Sequence, residues 1–117
     1  MKKILISALL GLLVTSSALA EQAFYEGKLL RVLQTSDGKY GSCMVGLPVQ
    51  VNTVLAGCKD SWVTFSCSGN FASKSDSSAM MESAKMAYAL NKTVLMRVDN
   101  TKLHNGYCFS NYVALMD

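Results

Sequence analysis

Apolar and polar residues alternate with two different periods along this chain, and each change of period marks an element. Over Phe24 to Thr35, Leu29, Leu30, Val32 and Leu33 are interspersed with Lys28 and Arg31, as in a strand with one buried face. Ser36-Asp37-Gly38-Lys39 carries an Asp-Gly turn signal, so the next segment is expected to return antiparallel as a hairpin. That segment, Tyr40 to Leu47, sets Cys43, Val45 and Leu47 on one side, and Pro48 ends it or places it at an edge. Val49 to Asp60 reads as a long connection holding at most one extended piece. Trp62-Val63-Thr64-Phe65-Ser66-Cys67 alternates cleanly as a third strand, and Trp62, opening that strand beside Cys58, is expected to be mostly buried. Ser68 to Ser78 is a polar loop whose end, Asp76, Ser77 or Ser78, can cap a helix. Ala79 to Asn91 lacks Gly and Pro, and Met80, Ala84, Ala87 and Tyr88 recur at helical spacing as one face. Period two resumes over Thr93 to Asp99, Asn105-Gly106 marks a second hairpin turn, and Tyr107 to Leu115 makes the last strand.

The predicted order is strand, strand, strand, helix, strand, strand. A mainly β chain with one helix between its third and fourth strands has the element order of an OB-fold, a five-stranded barrel closed around its own side chains. Four cysteines, Cys43, Cys58, Cys67 and Cys108, allow three pairings. If the second and third strands pair antiparallel, Cys43 falls opposite Cys67 and Leu47 opposite Val63, at a separation a disulfide spans. That pairing leaves Cys58 for Cys108. A zinc site is the rival, but the chain has no C-x-x-C pair and one histidine, so no metal and no cofactor are expected.

The first twenty residues set the compartment in which those thiols act. Lys2 and Lys3 precede an apolar run from Ile4 to Val14, and Ala18-Leu19-Ala20 has the small-x-small form of a signal-peptidase site. Residues 1–20 therefore read as a cleaved leader and residues 21–117 as one small domain, exported to the periplasm or beyond, without membrane insertion. In an oxidising compartment an even cysteine count in so small a domain indicates two disulfides. Removing Lys2 and Lys3 from the eleven basic residues leaves nine against eight acidic ones, with no block of one sign, which argues against a nucleic-acid partner.

Catalytic constellations are scarce. A Ser-His-Asp or Cys-His arrangement would have to use His104, which lies beside the Asn-Gly turn and reads as a solvated loop residue. Paired carboxylates would come from acids such as Glu26, Asp37, Asp60 and Asp99, most of them in predicted turns. No glycine-rich phosphate loop occurs, so an enzyme is not expected. The aromatics are the stronger lead, because sugars stack on rings flanked by polar groups. Phe24, Tyr25, Tyr40, Tyr107, Phe109 and Tyr112 all fall on predicted strands. Met80, Met81 and Met86 exceed what one helix face needs for a core, which suggests a subunit contact.

The segments Tyr25-Glu26-Gly27-Lys28-Leu29-Leu30-Arg31-Val32, Cys43-Met44-Val45-Gly46-Leu47, Cys58-x3-Trp62-Val63-Thr64-Phe65 and Met86 to Arg97 together resemble the subtilase cytotoxin B-subunit-like proteins, small exported bacterial OB-folds. The resemblance implies a non-enzymatic ring of five subunits that binds sialylated glycans and carries an enzymatic A subunit, with the helix facing the central channel. Glu26 stands where those B subunits use a serine against the sugar carboxylate, and Val98 or a neighbour replaces an aromatic on the fourth strand. These departures shift the implied ligand to a neutral or basic glycan, with Tyr25, Glu26 and Lys28 as its contacts. The alternative is a monomeric periplasmic module that grips or inhibits a protein partner.

Overall fold

The computed structural model describes residues 21–117; the expected leader over residues 1–20 lies outside the described residues. The chain forms β1 (Gln22–Gly27), β2 (Arg31–Gln34), β3 (Cys43–Gly46), β4 (Trp62–Thr64), α1 (Lys74–Ala89), β5 (Val94–His104), β6 (Tyr107–Phe109) and β7 (Val113–Leu115), with 3-10 turns at Gly38–Tyr40 and Val51–Thr53. All seven strands belong to one sheet, ordered β1-β5-β6-β4-β3-β2, with β7 also paired to β5. The architecture is mainly β with one helix, as expected. The sheet is open, however, and two of the five expected strands are each split.

Both splits have local causes. Tyr25 turns inward, and its hydroxyl donates to the Lys28 carbonyl at 2.7 Å, folding the chain back over Gly27. A Cβ on Gly27 would collide with that hydroxyl, so the bend depends on glycine. Pairing resumes when the Leu30 amide donates to Gly46 O at 2.7 Å. Between β6 and β7, the Ser110 hydroxyl donates to Tyr112 O and accepts from the Tyr112 amide, local bonds that replace ladder bonds.

The disulfides are Cys43–Cys67 and Cys58–Cys108, with Cα separations of 5.6 and 5.3 Å. The expected register is corrected by two residues: Val63 faces Val45, not Leu47. The difference is absorbed at Ser66, whose φ of 60° bends the chain after β4. Thr64 Oγ1 donates to Cys43 O and accepts from the Ser66 amide, which fixes the bend that returns Cys67 to Cys43.

Helix α1 begins earlier than its expected start at Ala79. Ser73, not Asp76, Ser77 or Ser78, is the cap: it has extended backbone angles and its hydroxyl accepts from the Asp76 amide at 3.1 Å. Ser77 is instead buried and donates to Ser66 O. Asn91 takes a φ of 55° and ends the helix, with the Lys92 amide donating to Ala87 O. Met81, Ala84 and Ala87 face a core built with Val45, Val63, Phe65 and Met96. Met80 packs at the margin, whereas Tyr88, expected on one face with Ala84 and Ala87, is exposed.

Candidate functional site

The inner face of the sheet is committed to the core, so the outer face is where the chain can meet a ligand. Alternation along β3 sends Cys43 and Val45 into the core and Met44 and Gly46 to the opposite face, where both are covered by neighbouring side chains. Arg31 of β2 pairs with Gly46, and Gly46 pairs with Trp62 of β4. Tyr107 of β6 lies beside Trp62, one residue before the Val63–Cys108 pair. A Cβ on Gly46 would stand 3.3 Å from Arg31 Cβ and 3.5 Å from the Trp62 ring, so the indole lies across β3 where that strand has no side chain. The Arg31 guanidinium sits 5.5 Å from the indole centroid, in cation-π contact.

Trp62, Tyr107, Tyr40, Leu33 and Met44 enclose a depression of about 190 Å³. Tyr40 reaches it from the 3-10 turn after β2, where the Asp37 carboxylate accepts from the Lys39 amide, and its ring meets Tyr107 edge-on at 5.7 Å. On the far side, the Tyr107 hydroxyl donates to Asp60 Oδ2 at 3.2 Å and the Lys59 ammonium lies 5.0 Å from the Tyr107 centroid. Partial burial, followed by the Asp60 hydrogen bond and charge and by Tyr40, raises the Tyr107 pKa above the usual phenol value. The Cys58–Cys108 disulfide and a hydrogen bond from the Lys59 amide to Gly106 O hold this corner together. Among the described residues the salt bridge is Lys85–Glu82, so neither Arg31 nor Lys59 is paired with a carboxylate.

Opposite Tyr107 across the β5–β6 pair lies His104, which is not a solvated turn residue. Its ring packs over Gly41, stands 4.3 Å from the Phe71 ring, and places Nε2 2.9 Å from Ser66 Oγ. Burial lowers its pKa. Ser66 is fully buried and its hydroxyl oxygen also accepts from the Phe71 amide, so the pair acts as a clamp on the loop after β4.

The residues expected to contact a ligand lie elsewhere. Tyr25 is 8% exposed and belongs to the core. Glu26 points outward from β1 opposite Leu95, and Lys28 donates to the Asn91 carbonyl at the end of α1. None of the three lines the depression. Trp62, expected to be mostly buried, is partly buried and lines it. The alternation contained that signal: with Val63 and Phe65 inward, Trp62 and Thr64 must face out. All four cysteines are held in disulfides, which suggests an oxidising compartment such as the periplasm or the extracellular space. Among the described residues no helix is long and apolar enough to cross a membrane. No family model, curated protein or solved structure matches the chain.

Proposed function

We propose that this chain is an exported, non-enzymatic binding protein of the OB-barrel kind, akin to toxin B subunits, and that it holds a glycan in the aromatic depression. The observation that carries this reading is the outward cluster of Trp62, Tyr107 and Tyr40, three rings that the core does not use and that two unpaired cations flank. Such rings bind the apolar faces of sugars while neighbouring polar groups orient the hydroxyls. The barrel reading is supported by the strand order. Taking β1 with β2, and β6 with β7, as halves of single bent strands gives the path first, second, third, fifth, fourth, first. OB-folds bind oligosaccharides on the face of their second and third strands and on the loops between strands one and two and between four and five. Here those correspond to β3, β4, the turn bearing Tyr40 and the turn before Tyr107.

A glycan array tests this: the wild-type protein should bind a restricted set of saccharides, and Tyr40→Ala combined with Tyr107→Ala should lose them. Binding to no saccharide at all would defeat the reading. Met86 on α1 and Leu90 at its C-cap, 55% and 59% exposed, favour the subunit contact that a ring requires. The alternative, a monomeric module for a protein partner, finds support in the exposed Phe24–Tyr112 ring pair on the β1–β5 side. Light scattering separates them, a pentamer mass favouring the ring and a single-chain mass the monomer.

A further inference from the structure

Stacking of a sugar on the aromatic rings does not account for the charge at the rim of the depression. Arg31, Gly46, Trp62 and Tyr107 form one row across four neighbouring strands. With strands about 4.8 Å apart, the row runs roughly 14 Å from the Arg31 backbone to that of Tyr107. Arg31 closes one end, and Lys59 closes the other, over the Tyr107 ring. Each cation is held by a π face. Neither side chain donates a hydrogen bond to another described residue, so the donors of both the guanidinium and the ammonium are free for a ligand. A single anion on one sugar ring reaches one end of this row but not both.

Building on the glycan-binding reading, we propose that the depression takes a linear acidic saccharide with anionic groups on two adjacent rings. The apolar ring faces lie against Trp62 and Tyr107, one anion meets Arg31, and the other meets Lys59. This is the opposite charge preference to the one Glu26 implies, because Glu26 is on β1 and not at the cleft. Asp60 supplies an internal control. Its carboxylate, hydrogen-bonded to the Tyr107 hydroxyl, sits at the Lys59 end and opposes an anion there.

The test is calorimetric titration of the disulfide-intact protein with three probes: a uronate–N-acetylhexosamine disaccharide bearing one sulfate ester, its desulfated form, and the desulfated form with its carboxylate reduced. Affinity should fall in that order and decline with added salt. Arg31→Gln and Lys59→Gln should each weaken the sulfated probe about tenfold and the neutral one by much less, and Asp60→Asn should strengthen the sulfated probe. All three residues are exposed, and far-UV dichroism reports that each variant keeps its fold. Equal affinity for all three probes would overturn the charge proposal and leave the glycan reading intact. Loss on carboxylate reduction alone would mean that one anion is read, which also overturns it. If none of the probes binds and the array is blank, both readings fall.

Discussion

At the residue scale, two glycines decide how the side chains around them lie. Gly46 leaves the space into which the Trp62 indole and the stem of Arg31 settle. Gly46→Val should displace both, with a shift in tryptophan emission and weakened saccharide binding, while far-UV dichroism stays at the wild-type value; an unchanged emission maximum would show that the indole does not rest there. Gly27 lets Tyr25 close on the Lys28 carbonyl. Tyr25→Phe removes that donor and keeps the ring, so urea denaturation should show a loss of about 1 kcal/mol, the usual net worth of one such bond. A loss near zero would mean that the bend between β1 and β2 is fixed by Gly27 and Leu29 alone.

At the element scale, the clamp between His104 at the end of β5 and the loop after β4 makes stability depend on pH. The ring packs against Gly41, Ser66 and Phe71 and its residue pairs with Tyr107, and none of these is a carboxylate that could compensate a proton. Burial therefore holds the folded-state pKa below the 6.5 of the free side chain. Below pH 6.5 the unfolded chain takes up a proton that the folded chain resists. Stability is thus complete above that pH, falls as the pH drops through it, and levels off below the folded-state value. Urea midpoints measured from pH 8 to pH 5 should show this decline, and His104→Gln should flatten it. A wild-type midpoint that is constant or rises toward acid would contradict the clamp. This role was not legible in the sequence, because proximity to an Asn-Gly turn says nothing of the Phe71 ring that folds back from the next loop. The strand faces were legible, since alternation alone separates Val63 and Phe65 from Trp62 and Thr64. The register was not, because the bend at Ser66 depends on side-chain bonds of Thr64 that leave no periodic trace.

For the whole molecule, two disulfides bind a small core and the outward aromatic face into one unit. The Cys58–Cys108 bond closes a separation of 50 residues and Cys43–Cys67 one of 24. On a chain-entropy argument they are worth about 4 and 3 kcal/mol. The pairing could be argued from strand order even though the register used was two residues out, because Cys58 and Cys67 lie in loops, which adjust to reach Cys108 on β6 and Cys43 on β3. Replacing Cys58 and Cys108 with alanine should lower stability by a few kcal/mol and free Lys59 and Asp60 from Tyr107, so that saccharide affinity falls even where the variant remains folded; wild-type affinity in that folded variant would separate the disulfide from the site. The central claim is that the outward rings of β4 and β6, not the β1 strand, meet the ligand. The chain has one tryptophan, so its indole N–H gives a single nitrogen-correlated NMR signal from inside the depression. Titration with the strongest saccharide from the array should move that signal together with the amides of Tyr40, Gly46 and Tyr107. Shifts centred on Tyr25, Glu26 and Lys28, with the indole signal unmoved, would contradict the account.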